Sequence, residues 1–271
     1  MKIVSFNVNS VRLRMHQLQA IIDTHAPALI ALQETKVADD AFPVDEIKAM
    51  GYDVCFHGQK THYGVATMSR LECVGTECGY PGDTPEDQKR MIKGVYKTPS
   101  GQPLTLINGY FPQGENRTHP VKFPAKQKFY ADLSEYLTEH DPKTAVVVTG
   151  DFNVAPLDVD IGIGPDNAKR WLRTGATSFL PEEREWLQAV MDWGLTDTYR
   201  QLYPQRDDLF SWFDYRSRGF ERDPKRGLRI DHVLATASLC EKLKDAGIDY
   251  AVRGMEKPSD HCPIWSEFDF D

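Results

Sequence analysis

No apolar run in this sequence is long enough to cross a bilayer. The longest, such as Ala28 to Leu32, fall far short of the roughly 20 residues a spanning helix needs. Lys2 leads straight into Ile3-Val4-Ser5-Phe6-Asn7 with no apolar signal segment, so a cytoplasmic protein without membrane attachment is expected. The five cysteines, at 55, 73, 78, 240 and 262, form no CxxC pair, and their odd number argues against a disulfide framework. Free thiols in a reducing compartment are the expectation. HExxH, a phosphate loop of the Walker type and the glycine pattern of a dinucleotide fold are all missing, which removes those enzyme classes. Repeats, low-complexity tracts and linkers are missing too, so residues 1–271 are read as a single domain and a monomer. Positive charge is in short supply overall. A formal net charge of −8 argues against unspecific polyanion binding by the whole surface, though not by one local face.

What the chain does have is strands that end in polar groups. Ala145-Val146-Val147-Val148-Thr149 is a β-branched run of the kind buried on both faces, and Gly150-Asp151-Phe152-Asn153 follows at once. Asp151 and Asn153 are two residues apart and point the same way in extended backbone, giving an oxygen site for a hard cation or a water. The pattern recurs. Lys2 to Val8 ends at Asn7, Ala28 to Leu32 runs into Gln33-Glu34, and Leu104 to Tyr110 ends at Tyr110. Asp231 sits in the strand Arg229 to Ala237, and Asp260-His261 precede the final strand. A single such acid is usually a solvated turn; five strand ends together point to one rim. Carboxylates and amides without a matching Cys or His set select Mg²⁺, Mn²⁺ or Ca²⁺ over zinc. Between the strands, Asn9 or Ser10 is expected to cap a helix carrying Val11, Met15, Leu18 and Ile22. Further helices are expected around Phe129 to Leu137, at Ala168 to Arg173, and from Pro181 to Gly194. Strand pairs in blocks separated by helices predict an α/β fold of two mixed sheets packed face to face with helices outside.

The segments Phe6-Asn7-Val8-Asn9, Leu32-Gln33-Glu34-Thr35-Lys36, Asn108 to Gly114, Gly150 to Asn153, Arg229-Ile230-Asp231-His232 and Ser259-Asp260-His261 stand in a telling order. In that order and spacing the chain resembles the exonuclease III family of AP endonucleases, within the endonuclease/exonuclease/phosphatase superfamily. The likeness covers essentially the whole chain. It implies a four-layer α/β sandwich and a single catalytic domain. It implies Glu34 as the principal metal carboxylate, with Asn7 and Asp260 near the same Mg²⁺ (or Mn²⁺). Asp151 resembles the residue that orients or deprotonates the attacking water, helped by Asn153. His261 resembles the phosphate-contacting histidine with Asp231 behind it, and Tyr110 a phenol on the phosphate side. The implied activities are incision 5′ to abasic sites, removal of 3′-blocking groups and 3′ to 5′ degradation of duplex DNA. Two departures from the family pattern are Cys262, where alanine is common, and Ser10-Val11 after Asn9. Neither replaces a catalytic group.

The same superfamily holds phosphatases of small phosphoesters, so the substrate rests on the loops. Between Ser211 and Ile230, five Arg and one Lys face Asp214, Glu221 and Asp223, with Trp212, Phe213, Tyr215 and Phe220 interleaved. Cations hold phosphates and aromatic wedges enter a minor groove or fill the place of a displaced nucleotide. Double-stranded DNA, abasic or 3′-blocked, is the expected partner. Arg90, Gln113, Lys122, Arg170 and Arg216 are the expected polar contacts, with Lys126, Lys169 and Arg173 behind them, and Trp212 and Phe213 the rings. Gly175-Ala176-Thr177-Ser178 is expected to leave room for a flipped-out sugar.

Overall fold

The two apolar runs expected as buried strands become central strands of two different sheets. The computed structural model describes residues 1–270. Its first six strands are β1 (Lys2–Asn7), β2 (Leu29–Gln33), β3 (Asp53–His57), β4 (Val65–Ser69), β5 (Cys73–Cys78) and β6 (Met91–Lys97). The others are β7 (Pro103–Tyr110), β8 (Val146–Asp151), β9 (Leu195–Asp197), β10 (Asp231–Thr236), β11 (Leu243–Ile248) and β12 (Ile264–Phe268). One six-stranded sheet has the order β11-β12-β1-β2-β4-β3, and the second has the order β5-β6-β7-β8-β10-β9. Each has a parallel pair at its centre, β1 with β2 and β7 with β8, flanked by antiparallel strands.

Burial on both faces explains why these central strands carry few charges. Along β1, Ile3 joins a cluster with Leu104, Leu106, Val147 and Val233 of the opposite sheet, while Val4 and Phe6 join Leu18, Ile21 and Ile22 outside. Those three belong to helix α1 (Met15–His25). On the other side, Ile107, Val146 and Val148 pack against Phe129, Tyr130, Leu133 and Leu137 of the long helix at Lys122–Leu137. Helix, sheet, sheet, helix is therefore the layer order expected. Between the sheets lies one polar clamp. Gln33 Nε2 donates to Asn108 Oδ1 at 2.7 Å, and Asn108 Nδ2 donates to the carbonyls of Leu32 and Ala66 at 3.0 and 2.8 Å. Bonds of this kind tie β7 to β2 and β4 directly beneath the rim. No described helix is long and apolar enough to cross a membrane.

Some local expectations fail. Val11–Leu13 form a 3-10 turn and α1 starts only at Met15, with no side-chain cap from Asn9 or Ser10. Both residues have positive φ, and the Asn9 side chain is used at the rim instead. The basic helical piece extends from Pro165 to Thr174. The short strands β9 and β11 were not anticipated.

The topology itself gathers the polar groups. Parallel strands β1, β2, β7 and β8 all end at one rim, so Asn7, Glu34, Tyr110 and Asp151 arrive there together. Antiparallel partners begin where these end. Asp231 at the start of β10 pairs with Asp151, and β12, antiparallel to β1, begins just after Asp260 and His261. The approach of β7 to β8 requires glycine: Gly150 has φ +142°, and a Cβ there would lie 1.9 Å from the Gly109 carbonyl oxygen.

Candidate active site

Glu34 follows β2 with φ +52°, a conformation uncommon for a side chain of its length, and it turns its carboxylate to the centre of the rim. There Glu34, Asp151 and His261 bring ligand atoms within 4.8 Å of one another. Asn7 bridges the two acids, its Nδ2 donating to Glu34 Oε1 at 2.9 Å and to Asp151 Oδ2 at 3.0 Å. Ser259 Oγ donates to the Asn7 carbonyl at 2.7 Å, tying β1 to the loop that carries Asp260 and His261.

His261 is held from both sides. Its Nδ1 faces the Asp231 carboxylate at 2.9 and 3.1 Å, and its Nε2 lies 3.6 Å from Asp151 Oδ2. Burial alone would lower the pKa of this imidazole, but the charges of Asp231 and Asp151 outweigh it and raise it to about 10. Charged, the ring has an N–H for each carboxylate. Asp231 is itself fixed by its position on β10, where its N–H donates to Ser211 Oγ at 3.0 Å.

Asp151 is pushed up to about 7, first by burial and then by the nearby charges of Asp231 and Glu34, against the pull of His261 and Asn7. Its Oδ1 accepts from the backbone N–H of Asn153 at 3.0 Å. Asn153, at φ +54°, donates its amide to the Phe111 carbonyl at 3.0 Å. Glu34 goes the other way: burial would raise it, yet the Lys36 ammonium at 2.9 Å and the Asn7 amide hold it below the usual carboxylate range. A buried carboxylate that its neighbours leave with a raised pKa asks for a proton or a cation. The oxygens of Glu34 and Asp151 with the adjoining Asn7 amide, and no thiol in the cluster, fit a hard divalent ion.

Tyr110 lies against Glu34 and Asp151, and burial followed by those two charges raises its pKa well above 10, so its phenol stays neutral. Arg90 stacks on it, with the guanidinium carbon 4.5 Å from the Tyr110 ring and 4.2 Å from the Tyr63 ring. Its Nη1 also donates to the Tyr110 carbonyl at 2.9 Å. Arg90 is thus a buried support for Tyr110 rather than the exposed contact expected.

Asp260 is held by hydrogen bonds from two sides. Its Oδ1 accepts from Asn9 Nδ2 at 2.9 Å and its Oδ2 from Trp212 Nε1 at 3.1 Å. It is not among the three residues whose ligand atoms lie within 4.8 Å of one another. Asn9 continues outward to Lys36, whose Nζ donates to Asn9 Oδ1 at 2.5 Å. The chain Glu34–Lys36–Asn9–Asp260–Trp212 therefore joins the acidic rim to the basic loop. The sequence marks Lys36 only as a member of a motif and Asn9 as a helix cap, and neither is expected in this role.

That loop divides its aromatics. Trp212 is part-exposed and bridges to Leu228 and His261, next to a cavity of about 200 Å³ lined also by Arg170, Trp171, Arg222 and Arg226. Phe213, expected as a DNA contact, is fully buried with Phe210 and Cys262, and it meets Phe220 and Tyr250 edge to face. Neighbours in extended backbone face opposite ways, so only one of the two rings can look outward. Gln113, Lys122, Arg170 and Arg216 are exposed, with Lys122 paired to Glu115 and Gln113 bonded to Thr177. Lys126 is another correction: it is fully buried, ion-paired to Glu183 at 2.5 Å. The segment Gly175–Ser178 is packed rather than open. Gly175 ends the helix at Pro165–Thr174, Ala176 bridges to Asn116, and the Ser178 N–H donates to Glu183. Beneath β10 lies a network with no sequence signature. Asp160 accepts from Arg229 and Arg200, and Arg229 also reaches Asp197 at 2.7 Å.

Comparison with known proteins agrees with this geometry. The chain is 55% identical over 269 residues to the exodeoxyribonuclease III of Haemophilus influenzae, covering 99% of this chain and 100% of that one. Among solved structures it resembles the 3′ phosphatase NExo from Neisseria bound to a product DNA hairpin, with TM-score 0.90, 35% identity and 100% of both chains covered. It also resembles an AP endonuclease from Archaeoglobus fulgidus, with TM-score 0.89, 33% identity and 99% of each chain covered. A profile of the endonuclease/exonuclease/phosphatase family matches residues 4–261. The chain belongs to the endonuclease/exonuclease/phosphatase family, in its exonuclease III branch.

Proposed function

We propose that this chain is a metal-dependent DNA repair nuclease, a single catalytic domain acting as a cytoplasmic monomer. It hydrolyses the phosphodiester 5′ to abasic sites, removes 3′-blocking groups and degrades duplex DNA from 3′ ends. The observation that carries this reading is the gathering of Glu34, Asp151 and His261 within 4.8 Å, beside the cavity at Trp212. Likeness along the whole chain to an exodeoxyribonuclease III supports it.

A phosphodiester is anionic and repels a nucleophile, so charge must be neutralised before water can attack. Glu34 would hold the divalent cation, Mg²⁺ with Mn²⁺ as alternative, with Asn7 and Asp260 near the same ion. When bound, that ion supplies positive charge to the scissile phosphate. His261, kept cationic by its two carboxylates, donates to a phosphate oxygen. Asp151 takes the proton of the attacking water as the new O–P bond forms. The Asn153 N–H keeps that carboxylate oriented. Tyr110 presents a neutral hydroxyl as donor, and Arg90 holds its ring. Asp260 acts as a positioning residue for Trp212 and Asn9.

The cavity between Trp212, Trp171 and the three arginines receives the extruded sugar, whose flanking phosphates meet Arg170, Arg216, Gln113 and Lys122. A nucleotide without a base leaves the stack at little cost, one source of selectivity. The test is incision of duplex DNA containing one abasic site. Cutting on its 5′ side with Mg²⁺, abolished by EDTA, is expected. No incision under either condition would overturn the reading.

A further inference from the structure

The sandwich has an open edge formed by the last strand of one sheet, β3, and the first strand of the other, β5. On it Cys55 and Cys73 face each other with Sγ atoms 3.8 Å apart. Neither belongs to the rim site, and all five cysteines are free thiols. We infer that Cys55 and Cys73 are a reactive dithiol that a small-molecule disulfide converts into a cross-sheet disulfide bond.

Three features of the edge support this. First, the register of β5 against β6 slips between Cys73 and Gly75, and such a bulge re-aims the side chain next to it. The slip turns Cys73 toward β3 although the two strands lie in different sheets. Second, both thiols are part-exposed, while Val74, Gly75 and Thr76 beside them are exposed, so a small oxidant has access. Third, Thr76 Oγ1 lies 3.4 Å from each sulfur and fixes the pair in one orientation. Bond formation requires the sulfurs to close to about 2.05 Å, a movement within reach of side-chain rotation on two edge strands.

The chemistry balances with a low-molecular-weight disulfide, RSSR, as oxidant. The Cys73 sulfur, after losing its proton, attacks RSSR, forming a Cys73–SR bond and releasing RS⁻, which takes up that proton. Cys55 then attacks the Cys73 sulfur of this mixed disulfide; the protein S–S bond forms and a second RS⁻ leaves with the Cys55 proton. Two protein thiols are oxidised and one RSSR is reduced to two RSH. The bond links positions 18 apart in sequence, enclosing β4, and restricts the unfolded chain.

Incubation of the full-length protein with oxidised glutathione, followed by alkylation under denaturing conditions and peptide mass analysis, tests the inference. The expected product is a Cys55–Cys73 cross-linked peptide, 2 Da lighter than the summed thiols, with Tm raised by several degrees and restored by dithiothreitol. Cys55→Ser should stop at Cys73 carrying glutathione, and Cys78→Ser should cross-link like the parent. Persistent mixed disulfides in the parent protein, a bond to Cys78 instead, or unmodified Cys55 and Cys73 would overturn it.

Discussion

The imidazole of His261 stands between two carboxylates, 2.9 Å from Asp231 on one side and 3.6 Å from Asp151 on the other. Both acids hold the ring in its charged form. Asp231→Asn removes the nearer charge. In metal-free protein, the His261 pKa, raised to about 10 by the two acids, is expected to fall, followed by NMR. Incision should slow by about 10²-fold, the loss typical of one oxyanion donor.

Asp151→Asn keeps size and the hydrogen bond from Asn153 while abolishing proton acceptance. Single-turnover incision should drop by about 10²–10⁴-fold, with Tm unchanged or higher, because a buried acid without full compensation is removed. An unchanged rate would assign the base to another residue.

Much of this site is legible in the sequence because each group sits one step past a buried strand. Val146 to Val148 announce β8, and whatever follows must lie at the sheet's end. What the sequence leaves unread depends on distance or on facing. Asp160, Asp197, Arg200 and Arg229 pair across 32 to 69 positions, and no local pattern declares that. Trp212 and Phe213 are both expected as DNA contacts from the sequence, yet alternation lets only one face outward, and burial with Phe210 and Cys262 decides which. For Lys126 the signal was present: spacing to Phe129, Tyr130 and Leu133 sets it on the apolar face of its helix.

The two rings should therefore answer differently to truncation. Trp212→Ala should weaken binding to abasic DNA by about tenfold or more, as for loss of an aromatic contact, with little change in Tm. Phe213→Ala empties a core site and should cost about 3–5 kcal/mol in urea unfolding.

The buried Asp160 network should govern acid stability. Burial would raise this carboxyl, but Arg229 and Arg200 hold it below its ordinary value of 3.8. A depressed native pKa gives stability that is present in full above the unfolded pKa. That stability is lost as pH falls through the native one. Asp160→Asn should lower unfolding free energy at pH 7 by about 3–5 kcal/mol, and the difference from wild type should shrink below pH 4. Urea titrations at both pH values check this.

Glycine at the rim is a packing requirement. Gly150→Ala drives a Cβ to 1.9 Å from the Gly109 oxygen and should abolish soluble expression or cooperative melting. Gly75→Ala, with no atom within 4 Å of the added carbon, should melt like wild type.

The account turns on Glu34 holding a divalent ion at the rim. Calorimetric titration with Mn²⁺, on wild type and on Glu34→Gln, paired with abasic-site incision, measures this most directly. Loss of both binding heat and incision in Glu34→Gln, with Tm retained, is the predicted result. A variant that binds Mn²⁺ and cuts as well as wild type would contradict the account.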